Sequence, residues 1–486
     1  MTMPSTSQSL AAVYLFLFAS LALAAGKETV TIDFAAKGEQ ITHKASGFAR
    51  GLTLTEPPQE MLAQLRPVFF RQPALDSPAK YGALAIYPRA RAMNAAVMAI
   101  LSEGVKFDGR FPGEKGNWEK WDRGVADLVR RAMSSGQRVQ WEIWTEPNQG
   151  ASWKGSKEDY LILWYRTVKR IRAIDPQATI AGPSVGPFDG GWINSFLKVA
   201  KEYDVLPDVI CWHEKDPKGD IVAHVDQIEN DCWQDGHGVR PIIVYQNVPE
   251  AHRFSPGFAV WTVAGQERSH AQFGVRNKTS EHGLQVASLL SPKSEPRAAW
   301  WAYREYAQMT GRMIKLSKSS TVDGLATWEA ATKTIHIIVG RGRKYVPTAR
   351  AGWVGVAKHP IASLTGSLDW VWDKFETTGI PEEGRNWLKV ITPAAVKFAN
   401  TAQRVLTTPT TQPTDTLGEV ELKLTHLPSP SVHVVAQRLE FSGEKASSGP
   451  KKAFEKDLKA TEQKEVKFML PEMGEADAYV VTVSDL

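Results

Sequence analysis

Between residues 41 and 315, short β-rich runs alternate with longer stretches of helical period. This alternation confines the chain to a parallel sheet with helical crossovers. The runs are PVFFRQ (67–72), AAVMAIL (95–101), VQWEIW (139–144), ATIAG (178–182), DVICWH (208–213), PIIVY (241–245) and FAVWTV (258–263), with a first strand near Ala45–Gly51. Eight such repeats predict closure into a (β/α)8 TIM barrel. An open doubly wound sheet would normally bring a glycine-rich phosphate loop, and no GxGxxG occurs. Between the runs, Ser156 with Asp159 three residues on forms a capping-box pattern. Leu161, Trp164, Tyr165, Val168 and Ile171 follow at helical spacing. Further helices are expected over Trp192–Tyr203 and Arg297–Thr310.

After Lys318 the helical period fades. GLATWEAA, KTIHIIVGR, EVELKL, SVHVVAQRLEF, KEVKFML and DAYVVTVSDL read as strands of an appended C-terminal antiparallel β-sandwich. The early TVTIDF (Thr29–Phe34) alternates in the same way and is expected to join it. The Thr/Pro-rich tract 407–416 and the lysine-rich 442–464 read as exposed loops. The expected organisation is a signal peptide over 1–25, a sandwich strand in 26–40, the barrel over 41–317 and the sandwich over 318–486.

Leu10–Ala25 is an uncharged apolar run ending in small residues, shorter than the about 20 residues a spanning helix needs. A cleaved export signal, secretion and no membrane attachment after cleavage are therefore expected. In that compartment Asn277-Lys278-Thr279 is a glycosylation sequon, and Cys211 and Cys232 are free to pair. Two cysteines make no disulfide framework, and no Cys/His spacing suggests a metal site. The 58 basic and 53 acidic residues are scattered along the chain, which is no nucleic-acid footprint. Seventeen tryptophans suit sugar faces as well as cores.

Barrel active sites lie where the parallel strands end. There the fourth run continues into Thr145-Glu146-Pro147-Asn148, with Pro147 expected to hold Glu146 extended. Trp141 and Trp144 are expected to flank Glu146 and to favour its neutral, proton-donating form. The string WEIWTEPN resembles the acid/base motif Trp-Glu-x-Trp-Asn-Glu-Pro-Asn of glycoside hydrolase family 39, barrel enzymes of clan A that include β-xylosidases and α-L-iduronidase. AGPSVG (181–186), DVICWHE (208–214) and the Trp-Trp-x-Tyr segment at 300–303 extend the resemblance, which is good over 139–310.

The resemblance implies an O-glycosyl hydrolase with a carbohydrate ligand, no metal and no organic cofactor, and Glu146 as general acid/base. It puts the nucleophile position at Gln246, where retaining members need a carboxylate about 5–5.5 Å from the acid. It also implies Arg71, Thr145, Asn148 and His213 around the sugar, with Trp144, Trp212, Trp261 and Tyr245 as further pocket candidates. Thr145 stands where the family has an asparagine, and Lys215 where relatives place a tyrosine. Three changes around one centre suggest altered or lost chemistry. A substitute base is sought in Glu214 or Glu250, since inversion tolerates carboxyls about 6.5–9.5 Å apart. The alternative is a degenerate barrel that binds sugar without cutting it, and a purely structural wall protein is a third reading. Gly182-Pro183-Ser184-Val185-Gly186 also fits GxSxG, but Pro187, Gly190 and Gly191 follow where that serine elbow needs a helix. Substrate identity, anomer and oligomeric state lie beyond the sequence.

Overall fold

The computed structural model describes residues 27–75, 81–214, 220–249, 252–277, 288–342 and 419–485, without the side chains of Asn247 and Asn277. The expectations for 10–25, Lys215, Glu250, the 407–416 tract and the sequon beyond the Asn277 backbone fall outside these residues.

Strand β1 (Glu28–Gln40) comes first. The strands β2 (Gly47–Ala49), β3 (Phe69–Pro73), β4 (Ala96–Ile100), β5 (Gln140–Glu142), β6 (Thr179–Val185), β7 (Val209–Glu214), β8 (Ile242–Asn247) and β9 (Phe273–Asn277) then close into a parallel barrel, with β2 pairing β9. Around and beside it lie α1 (Gln59–Ala63), α2 (Ala83–Ala92), α3 (Glu119–Ser134), α4 (Lys157–Arg172), α5 (Gly190–Glu202), α6 (Ile221–Gln234), α7 (Pro256–Arg268) and α8 (Ala298–Gln308). The Ser156 capping box forms as its spacing predicts, with both reciprocal bonds made.

Side chains alternate across each barrel strand. Phe69, Met98, Cys211, Ile243, Tyr245 and Val275 fill the interior. Phe70, Val97, Ile210, Ile242 and Val244 face the helices. This two-sided burial explains why the runs read as continuous apolar segments.

The eighth strand is Phe273–Asn277, not FAVWTV, which lies inside α7. Helix α7 is buried on nearly every side, so no polar stripe reveals its period. Its start is capped by Ser255, whose hydroxyl accepts from the Phe258 N–H, with a proline in the first turn. A Cβ on Gly257 would come within 2.4 Å of the Arg341 carbonyl oxygen, so glycine is what lets α7 seat against the second sheet.

That sheet joins β1 to β10 (Arg312–Ser317), β11 (Val322–Glu329), β12 (Thr334–Arg341), β13 (Val420–Thr425), β14 (Ser431–Leu439), β15 (Lys451–Lys459), β16 (Val466–Leu470) and β17 (Ala478–Ser484). Its order is β15-β14-β17-β12-β11-β10-β1-β13-β16, antiparallel except for β1 beside β13. One hydrophobic core serves all the strands from β10 to β14, together with β1, β16 and β17. Two boundaries differ from expectation. After the barrel the sheet resumes at Arg312, within the span assigned to the barrel. The lysine-rich 442–464 stretch contains an edge strand, β15, whose largely exposed charges are how edge strands avoid further pairing. Cys211 and Cys232 are buried free thiols on β7 and α6, not a disulfide. Among the described residues no helix is long and apolar enough to cross a membrane.

Candidate active site

The floor of the barrel mouth is a buried ion pair between Arg71 on β3 and Glu142 on β5, both side chains 0% exposed. Arg71 donates from Nε to Glu142 Oε2 at 2.6 Å and from Nη2 to Oε1 at 2.5 Å. The Ser184 hydroxyl donates to the same Oε1 at 2.5 Å, and the Tyr245 hydroxyl lies 3.3 Å from Oε2. Burial alone would raise the Glu142 carboxyl, but the Arg71 guanidinium and the Ser184 hydrogen bond hold it below its ordinary value. Arg71 stacks 4.4 Å above the Tyr245 ring, and the Tyr245 hydroxyl also reaches Met98 Sδ at 2.8 Å. Glu142 was not among the sequence candidates. Its signal was present: Val139, Trp141 and Ile143 alternate with Gln140 and Glu142, so the polar face of this strand has to point into the barrel.

Above this floor, Thr145 Oγ1 accepts from Arg71 Nη2 at 2.9 Å and lies 3.2 Å from Glu142 Oε1. Its one hydroxyl is engaged with the ion pair. Glu146 follows with φ +53°, a left-handed conformation rather than the extended one expected from Pro147. The cause is tertiary: its N–H donates to the Ser184 carbonyl at 2.8 Å, which turns the chain over the end of β6. Asn148 stitches the same turn by accepting from the Gly186 N–H at 2.9 Å, so it holds the loop. A Cβ on Gly186 would come 2.8 Å from Glu146 Oε1, so the glycine makes room for that carboxyl.

Glu146 Oε1 lies 2.7 Å from His213 Nδ1, with the Glu146 side chain 16% exposed. His213 stands edge-on to Tyr245 at 5.0 Å. Burial pushes the imidazole below its ordinary value, and the Arg71 charge adds to this against the pull of Glu146. A neutral ring can donate from Nδ1 to a carboxylate, or in its other tautomer accept from a carboxylic acid. It therefore suits a group that alternates between the two forms.

The structure thus brings together Arg71, Thr145, Glu146, Asn148, His213 and Tyr245, with Arg71 and Tyr245 beneath the opening and without exposed surface. Other candidates lie elsewhere. Trp144 is buried in an aromatic cluster with Trp153 at 5.0 Å, Phe107 at 5.7 Å and Trp121 at 6.0 Å. Trp141 is likewise core, so the two indoles form no wall around Glu146. Trp212 is buried against Phe188. Trp261 sits on α7 facing Gly342 and Lys318, on the side of the second sheet.

Gln246 occupies the opposite strand face from Tyr245, as alternation requires, with Nε2 3.4 Å from the Glu214 carbonyl. Glu214 is buried and hydrogen-bonds His224 of α6 at 2.7 Å, with Phe188 stacked on that imidazole. The Glu214 side chain is therefore turned to the helix layer. Ser184 is buried within β6 and bound to Glu142, and the next helix starts only at Gly190. That geometry does not suit an exposed nucleophile elbow. A potential metal-ligand trio, Asp226, Glu229 and His270, lies on the outside of the barrel and contributes nothing to the mouth.

Comparison with known proteins finds the same family that the WEIWTEPN string resembles. The sequence model of "Glycosyl hydrolases family 39" matches residues 90–243. A β-xylosidase of Geobacillus stearothermophilus is 32% identical over 73 residues, a match spanning 15% of this chain and 14% of that enzyme. The structure of N2152 from Neocallimastix frontalis superposes with a TM-score of 0.70 at 21% identity, covering 95% of this chain and all of the other. The family 39 enzyme from Xanthomonas axonopodis pv. citri does so at 0.59 and 14%, covering 96% and 99%. At those identities the structural likeness establishes the fold. Together with the family match, it supports a resemblance of the chain to clan A glycoside hydrolases of the family 39 type.

Proposed function

We propose that the protein is a secreted glycoside hydrolase acting on O-glycosidic bonds of an oligo- or polysaccharide, with Glu146 as the proton-transfer residue. The observation that carries this reading is the Glu146 carboxyl held at the barrel mouth by a left-handed turn, Gly186 and His213. In the acid form Glu146 protonates the departing glycosidic oxygen. His213 keeps the carboxyl in place through the change of charge. The ion pair below fixes Thr145, and so the turn that carries Glu146.

A second reading is favoured by one specific observation: the carboxylates Glu142 and Glu214 are both engaged. Glu142 is committed to Arg71 and Glu214 to His224, while Gln246 is a neutral amide turned away from Tyr245. A barrel of this kind binds sugar without the double displacement that retention requires. Assay on a panel of aryl glycosides separates the two. Hydrolysis by the natural protein that falls by about 10²–10⁴-fold in Glu146→Gln supports the first reading. Glycan binding with no turnover supports the second. Neither turnover nor binding would end both.

A further inference from the structure

The mouth carries a second ion pair that the site described above does not use. Arg50 follows β2, Glu103 ends the short turn after β4, and Arg50 Nη2 meets Glu103 Oε1. Both lie beyond the C-terminal ends of their strands, on the same face as Glu146. Since β3 lies between β2 and β4, the pair bridges the end of the strand that bears Arg71. The Arg71 guanidinium is within electrostatic reach of Glu103. Charges therefore alternate from Glu142 through Arg71 and Glu103 to Arg50, from the buried floor to the open rim.

The pair is held rather than casual. Arg50 has φ +52°, rare for a long side chain, and its N–H donates to the Arg71 carbonyl at 2.9 Å. The Glu103 turn is pressed onto β3 so closely that a Cβ on Gly104 would lie 1.8 Å from the Ala74 carbonyl oxygen. Yet the side chains stay accessible, 45% exposed for Arg50 and 22% for Glu103. Strained backbone that orients an accessible charged group is a common feature of ligand sites.

We infer that Arg50 and Glu103 form a specificity-determining clamp for two adjacent hydroxyls of an uncharged sugar. The inference rests on the reading that a glycan occupies this mouth. A vicinal diol accepts from the planar guanidinium with one hydroxyl and donates to the carboxylate with the other, two charge-assisted bonds from one rigid unit. A uronate is disfavoured, because the charge of Arg50 is already neutralised and Glu103 repels a second carboxylate.

The test uses the full-length protein on an array of neutral xylo-, arabino- and gluco-oligosaccharides and their uronate-bearing counterparts, with thermal melts as a check on folding. The natural protein is expected to prefer neutral glycans. Arg50→Met and Glu103→Gln each weaken the best neutral ligand by about tenfold, as loss of one hydrogen bond to a charged group implies. Glu103→Gln also shifts the ratio toward uronates by uncovering Arg50, an effect no merely structural role produces. Arg50→Lys keeps the charge without the fork and recovers only part of the affinity. Unchanged neutral affinity in Arg50→Met and Glu103→Gln, or a uronate preference in the natural protein, overturns the clamp and leaves the glycan reading standing. Absence of any glycan binding by the natural protein removes both.

Discussion

Removing the guanidinium of Arg71 strands a carboxylate that has no exposed surface. Glu142 accepts two bonds from Arg71 at 2.6 and 2.5 Å and one from Ser184 at 2.5 Å, with Thr145 and Tyr245 at 3.2 and 3.3 Å. In Arg71→Met the charge-assisted pair disappears while the desolvation of Glu142 remains, a loss of about 3–5 kcal/mol. Against a typical total of about 5–15 kcal/mol, that is a large share. Urea denaturation at pH 7 measures it. Arg71→Met/Glu142→Leu removes both charges and should recover much of the loss, so the double-mutant cycle should show a strong favourable coupling. The pH dependence has a definite sign. The folded carboxyl lies below its ordinary value, so the contribution is complete above the unfolded carboxylate pKa of about 4.3. It drains away as the pH falls through the lower folded value, and Arg71→Met should flatten that acid limb. A loss under about 1 kcal/mol in Arg71→Met, or additive single variants, would refute the claim that this pair supports the mouth.

Three further outcomes follow from the same geometry. Gly186→Ala pushes on the Glu146 carboxyl and should cut turnover by about tenfold or more in an aryl glycoside assay, with the melting temperature little changed. Gln246→Glu should create no retaining activity, because the side chain at 246 is buried beside the Glu214 carbonyl. It should instead lose about 1–3 kcal/mol in urea titration, whereas a gain of turnover would show that this position faces the sugar. Burial raises the Cys211 thiol to about 12 and the Cys232 thiol to about 11. A thiol-reactive dye should therefore label neither in the native protein and both after unfolding without reductant, while a zero count after unfolding would mean that they are bonded.

Much of the architecture was legible in one dimension. Seven of the eight barrel strands fall where their β-rich runs lie, and Ser156 caps its helix as its spacing requires. The reason is local: a strand buried on both faces must be apolar throughout, and a capping box is a contact between residues three apart. FAVWTV failed for the complementary reason. An apolar run has no period to read, and only its burial between the barrel and the second sheet makes it a helix.

At the mouth the division is sharper. Strand-end position and the local strings WEIWTEPN and DVICWHE, through their resemblance to family 39, singled out Glu146 and His213. The left-handed turn of Glu146 depends on the Ser184 carbonyl from another strand, and the charge on Glu142 depends on Arg71, 71 residues away. The aromatic cage expected from Trp141 and Trp144 dissolved because both indoles have packing partners in the helix layer. Periodicity determined the barrel, and the chemistry expected at its rim is what the resemblance of WEIWTEPN to family 39 implies. Side-chain direction and pairing across strands, set only when the barrel closes, decided that Glu142 is committed to Arg71 and Glu214 to His224, while Glu146 meets His213 at the mouth.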